Sequence, residues 1–199
     1  MAKRSPHPGR RPALLAVLLA CCLFAPAAPP AAQQSDLPAA APMESPPSAE
    51  HAVLHRLLGE WSASMEVSGE DGSQPEKIRA REVVRSCCGG LFVLAELSGK
   101  AKRTPRGGRG ILGYDPARGR YILTWADTWS TSLAIGEGGY DEAGDAITFV
   151  YERPDGRGGR QRLRDLFAWD GPDRRSRTVS IIGDDGSERP WIAIQYRRK

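Results

Sequence analysis

From Trp61 to the C-terminal lysine, turn-forming residue pairs cut the chain into short segments, and no helical stretch falls between them. Trp61, Ala63, Met65 and Val67 alternate with Ser62, Ser64, Glu66 and Ser68, the period of two that gives a strand one buried face. Comparable segments predict strands over Glu76 to Arg85, Leu91 to Ser98, Arg109 to Tyr114, Arg120 to Asp127 and Ser130 to Ile135. Further strands are predicted over Ala146 to Glu152, Arg160 to Trp169, Arg175 to Ile182 and Trp191 to Arg197. The predicted breaks are Asp71-Gly72, Ser98-Gly99, Asp115-Pro116, Gly138-Gly139, Pro154-Asp155-Gly156, Gly171-Pro172 and Asp185-Gly186, all rich in residues that favour turns. Many short strands without crossover helices make an antiparallel meander. Closing it into a barrel removes the unpaired edges that an open sheet would leave exposed. The expected fold is therefore all-β, a barrel of about 8–10 strands by this reading of the segments. One short helix precedes it: Ser48 is a suitable N-cap, Val53, Leu54, Leu57 and Leu58 recur at helical spacing, and Gly59 ends the pattern.

Before that helix the sequence reads as address and tether. Lys3, Arg4, Arg10 and Arg11 form a basic n-region, Ala13 to Ala25 a short apolar core, and Ala25-Pro26-Ala27 a small-residue cleavage site, so residues 1–27 are expected to be an export signal. The apolar run is too short to span a bilayer as a helix. Leu18-Leu19-Ala20-Cys21 resembles a lipobox, which would make Cys21 a lipid-bearing N-terminus, although Leu19 is unusual in its place and Cys22 follows directly. Ordinary secretion and lipid anchoring both remain open, and Arg10-Arg11 followed by Pro12-Ala13 fits a twin-arginine signal poorly. Residues 28–48, rich in Ala, Pro, Gln and Ser, have little to bury and read as a disordered linker. Residues 49–199 are left as a single domain, which a chain of 199 residues with 40% apolar content can furnish with a core. The location implied is the periplasm or a membrane reached only through the lipid anchor.

The net charge of +4 gives little reason to expect nucleic acid. Four of the 28 basic residues and three of the 24 acidic ones precede His51, so the charges of the folded part nearly balance. No RNA-recognition, zinc-finger or helix-turn-helix signature accompanies them.

Two segments, His51 to Trp61 and Gly113 to Thr131, resemble the bacterial domain-of-unknown-function family 1579, a group placed near the lipocalin-like (calycin) barrels. His51, Leu54, Leu57, Gly59 and Trp61 match its opening segment; Gly110, Gly113, Tyr114, Asp115, Tyr121, Trp125, Asp127 and Thr131 match its central one. Asp141, Gly144 and Thr148 match the following hairpin, and Arg164 and Tyr196 fit more loosely. The likeness extends over residues 51–199. The chain departs from the family where Gly89-Gly90-Leu91-Phe92 replaces Gly-Gly-Arg-Phe, so any role of that arginine is absent. Resemblance to calycins further implies that Trp61 of Gly59-Glu60-Trp61 closes one barrel end against an arginine near the last strand, here Arg198.

Alternation places carboxylates among the inward apolar residues. Glu82 shares a face with Ile78, Ala80 and Val84, Asp127 with Tyr121, Leu123 and Trp125, and Asp165 with Leu163, Phe167 and Trp169. An unpaired buried carboxylate is expensive, so each needs an arginine, hydroxyl, water or ligand, with Arg177 and Arg198 as candidates. Structural ion pairs are the plain account. The sharper one is a pocket walled by Tyr114, Tyr121, Trp125 and Trp129, in which Asp127 or Asp165 fixes the polar end of an amphipathic ligand.

Other motifs carry less. His51 and His55 are four apart on the helix but lack the intervening glutamate of H-E-x-x-H, so they read as packing or surface residues rather than metal ligands. No histidine follows His55, which argues against histidine-ligated haem, and no cofactor is implied. Cys87-Cys88 reads as packing thiols or a vicinal disulfide rather than a catalytic pair. Gly107-Gly108-Arg109-Gly110 lacks the strand-loop-helix setting of a phosphate loop and reads as a flexible turn. No nucleophile-elbow or triad spacing is present, so no catalytic residue is assigned. Three classes follow in order: a barrel binding a small lipophilic or amphipathic ligand, marked by a continuous interior cavity; a filled barrel serving as an envelope interaction protein, marked by a dry interior and an outer apolar patch; and an unrecognised enzyme. Nothing in the sequence indicates an oligomeric state.

Overall fold

A computed structural model describes residues 46–69 and 74–199 of the chain. The export signal with Cys21, most of the linker and the Asp71-Gly72 turn lie outside the described residues. Helix α1 (Ala49–His55) leads into ten strands: β1 (Gly59–Val67), β2 (Glu76–Cys87), β3 (Phe92–Ala101), β4 (Thr104–Asp115), β5 (Arg120–Asp127), β6 (Ala134–Asp141), β7 (Ala146–Pro154), β8 (Arg160–Trp169), β9 (Arg174–Ile182) and β10 (Glu188–Arg198). Each strand pairs antiparallel with the next, and β1 pairs with β10 to close the barrel, Trp61 opposite Arg198. Closure leaves no strand edge unpaired.

Because the strands run up and down, the barrel has two unlike ends. At one, α1 packs over β3 and β4, burying Leu54 and Leu57. The Trp61 indole N–H donates to the Leu57 carbonyl at 2.9 Å, and the Tyr121 hydroxyl donates to the Glu50 carbonyl at 3.2 Å. Arg56, just past the helix, donates to both oxygens of Asp145 at 2.5 and 2.8 Å, and the Tyr140 hydroxyl reaches the same carboxylate at 2.8 Å. That end is sealed. The other end, where β5 and β7 finish and β10 begins, has no helix over it among the described residues.

Three expected breaks are strand interior. Ser98-Gly99 lies within β3, and the chain reverses instead at Lys102, whose φ is 53°. Gly107 to Gly110 lies within β4 rather than forming a turn. Gly138-Gly139 lies within β6, which spans Ala134–Asp141 in place of the expected Ser130 to Ile135. Side chains explain the shift. The Trp129 N–H donates to Asp127 Oδ1 at 2.8 Å and the Ser132 N–H to Ser130 Oγ at 3.1 Å, local bonds that hold the segment in turns and compete with a ladder. Gly138 serves close approach: a Cβ there would stand 1.6 Å from the Thr148 carbonyl oxygen of β7.

Candidate functional site

Strands β2, β5, β7, β8 and β9 send charged side chains inward, and these form three carboxylate–arginine pairs from the sealed end to the open one. Nearest α1, Glu82 on β2 pairs with Arg175 on β9 and also accepts from the Tyr196 hydroxyl at 3.3 Å. The Arg175 guanidinium lies between two rings, 4.6 Å from the Trp61 centroid and 3.7 Å from that of Tyr196. In the middle, Arg177 clasps Asp165 with Nε at 3.0 Å from Oδ1 and a terminal nitrogen at 2.7 Å from Oδ2. Burial opposes the Arg177 charge, but the charge and hydrogen bonds of Asp165 outweigh it and leave the guanidinium more basic than usual. Trp125 and Phe167 flank it at 4.1 and 4.8 Å. At the open end, Arg153 on β7 faces Asp127 on β5 across 3.7 Å, an ion-pair distance longer than a hydrogen bond.

The three pairs occupy what would otherwise be a lumen. Around the third, Trp125, Trp129, Tyr151 and Trp191 form an aromatic cup at the mouth, with Met65, Leu97, Val179, Ile192 and Ile194 as its floor. The free volume of the cup is about 20 Å³, room for about one water molecule. The Trp129 and Trp191 rings meet edge to face at 6.4 Å, and the Arg153 guanidinium lies 4.1 Å from the Trp191 centroid. Burial pushes the Tyr151 phenol above its ordinary range, so it stays neutral at physiological pH.

The residues singled out from sequence fall into three places. Trp125, Asp127 and Trp129 line the cup. Asp165 lies deeper, fully buried and committed to Arg177. Tyr114 and Tyr121 lie at the opposite end under α1, with ring centroids 5.1 Å apart and Tyr114 edge-on to His51 at 6.0 Å. Burial pushes the Tyr121 hydroxyl up to about 12. Also at the sealed end, the Arg198 guanidinium lies 4.2 Å from the Trp61 centroid, and the same group donates to the Leu58 carbonyl at 2.8 Å. His51 accepts from the Ser48 backbone N–H at 2.9 Å, whereas the His55 ring meets the Gly90 carbonyl at 2.8 Å, so the two rings serve separate partners. Among the described residues no cluster of three or more His, Cys, Asp or Glu could hold a metal ion. Cys87, the last residue of β2, and Cys88, which opens the following turn with φ 53°, are free thiols. Burial raises the Cys87 thiol, which disfavours the reactive thiolate.

Sequence reasoning missed Tyr151, Arg153, Arg175 and Trp191. The alternation Ile147, Phe149, Tyr151, Arg153 carried the signal for two of them, but the expected strand ended at Glu152, one residue short of Arg153. Trp191 lies within a register shift between Pro190 and Ile192, which strict alternation does not foresee.

Two solved structures share this lipocalin-like barrel. Rv2717c from M. tuberculosis has a TM-score of 0.58 at 18% identity, over 76% of this chain and 98% of that one. The S-type phycobiliprotein lyase CPES from Guillardia theta has a TM-score of 0.51 at 16% identity, over 77% and 93%. At those identities both show the fold alone. No curated protein sequence gives a significant match. Residues 46–198 match the family described as "Protein of unknown function (DUF1579)", and the chain belongs to that family.

Proposed function

We propose that this protein is a non-catalytic binding barrel that takes a small amphipathic molecule at its open mouth, in an exported form that is either free or tethered through Cys21. One observation carries the reading: four aromatic side chains converge with a single loosely paired arginine at the end that no helix covers among the described residues. Concave apolar walls with few polar groups are the usual make-up of a small-molecule site. The cup has room for about one water molecule, so the ligand would sit in the mouth and displace side chains such as Trp191.

A second reading, an interaction protein with a filled barrel, is favoured by the outer surface. The exposed large apolar residues Leu94, Ile111, Leu133 and Ile135 gather in one region of the barrel wall. Leu94 faces Ile111, Ile111 faces Thr124 and Thr124 faces Ile135 in register, a row crossing β3 to β6. Contiguous exposed apolar surface of this kind marks association sites, and a second copy of the chain is the occupant this reading takes.

Mass spectrometry of the full-length protein, gently extracted and kept native, tests both. The first reading expects a small-molecule adduct that Trp191→Ala depletes; an adduct-free monomer would sink it. The second expects a dimer that Ile135→Glu dissociates. The denatured mass of the same sample reports the N-terminus, either lipid-bearing at Cys21 or unmodified near Ala27.

A further inference from the structure

Arg153 is the least satisfied charge in the protein's mouth. Only 8% of the residue is exposed, and its Nε is buried with no hydrogen-bond partner. Its carboxylate neighbour does not close on it: Asp127 Oδ2 stands 3.7 Å from the nearest terminal nitrogen. Asp127 is held elsewhere, because its Oδ1 accepts the Trp129 backbone N–H at 2.8 Å and so fixes the turn after β5. A guanidinium has five N–H donors and no acceptor. Leaving one of them buried and unmatched costs free energy that a ligand with the right acceptor would return. The two deeper carboxylates do close on their arginines, Asp165 on Arg177 in two-point fashion and Glu82 directly on Arg175; Arg175 also keeps buried nitrogens without partners, but it lies far from the mouth and between aromatic rings.

The rings around Arg153 fix the rest of the ligand. Trp191 lies against one side of the guanidinium at 4.1 Å, and Trp129 stands edge-on to Trp191. An apolar or aromatic body would replace the contact between those indoles while its charged end reaches the guanidinium.

We infer that the mouth is selective for amphipathic anions, and that a carboxylate or sulfonate on the ligand takes the place of Asp127 beside Arg153. This rests on the mouth-binding reading and adds the ligand's charge to it. Asp127 is then a weak internal competitor. Its removal strengthens anion binding, a result that a purely structural ion pair would not give.

Two dyes sharing an arylnaphthylamine body separate the inference from the reading beneath it: the anionic 8-anilinonaphthalene-1-sulfonate and the neutral N-phenyl-1-naphthylamine. Fluorescence titration of the full chain is expected to show tighter binding of the sulfonate. Arg153→Met should weaken the sulfonate by about tenfold or more, as expected for loss of a charged hydrogen bond, and change the neutral dye far less, with an unchanged circular dichroism spectrum reporting that the variant is folded. Asp127→Asn, which keeps an oxygen for the Trp129 N–H, should tighten the sulfonate alone. Equal binding of both dyes, with both insensitive to Arg153→Met, would overturn the anion inference and leave the mouth site standing. Weaker sulfonate binding by Asp127→Asn would also overturn it. Binding of neither dye would overturn the inference and count against the mouth reading as well.

Discussion

Asp165→Ala is expected to destabilise the barrel by about 3–5 kcal/mol, the usual cost of stranding one member of a buried pair. Asp165 is fully buried, and Arg177, 3% exposed, has no other carboxylate bonded to it among the described residues. The rings of Trp125 and Phe167 would still face the guanidinium, but such contacts contribute only about 2 kcal/mol even when desolvated. Arg177→Met should cost a similar amount by leaving the carboxylate alone. Replacing both together, Asp165→Leu with Arg177→Met, should restore most of the loss, because apolar side chains of similar volume often substitute for a buried pair without penalty. Urea denaturation of the four proteins gives the comparison. Single variants within about 1 kcal/mol of the parent would mean that the pair is hydrated and the interior less dry than described.

Trp61→Ala is expected to cost about 3–5 kcal/mol, the range for removing a large aromatic side chain from a core. Trp61 is wholly buried and does three things at the sealed end. Its indole N–H satisfies the Leu57 carbonyl two residues past α1, and its ring meets the guanidinium groups of Arg175 and Arg198. Arg175 already has buried Nε and terminal-nitrogen donors without partners, so it depends on those ring faces more than most arginines do. Arg198→Met should be milder, about 1–2 kcal/mol, since the hydrogen bonds it loses, to the Leu58 and Pro172 carbonyls at 2.8 and 3.1 Å, come from a partly exposed side chain and can be replaced by water. Hydrogen exchange should then show α1 opening in Trp61→Ala more readily than in Arg198→Met. The reverse order would place the closure of that end on the arginine instead.

Much of this was legible in the residues. Alternation over Glu76 to Val84, Arg120 to Asp127 and Arg160 to Trp169 assigned the inward faces, including the awkward carboxylates Glu82, Asp127 and Asp165, because a period of two leaves a side chain only two directions. The need for partners followed from electrostatics, and Arg177 was found that way. Arg175 was not, although it lies two residues before Arg177 on the same face, because the expected strand began there and its direction was left unassigned. Glycine misled the boundaries. Gly99, Gly107 and Gly138 are needed where the backbone of a neighbouring strand presses close, a demand invisible in the local sequence. The division of the aromatic residues between two ends was equally hidden: Tyr114 and Tyr121 alternate in step with Trp125, yet position along the strand, rather than face, puts them under α1.

The tryptophans offer the most direct test of where binding occurs. Trp125, Trp129 and Trp191 line the mouth, whereas Trp61 and Trp169 lie at the sealed end. Titrating the protein with 8-anilinonaphthalene-1-sulfonate while following the indole N–H resonances by NMR reads all of them at once. The account predicts saturable shifts at Trp125, Trp129 and Trp191 with Trp61 and Trp169 unmoved. Shifts confined to Trp61 and Trp169, or none at saturating dye, would contradict it.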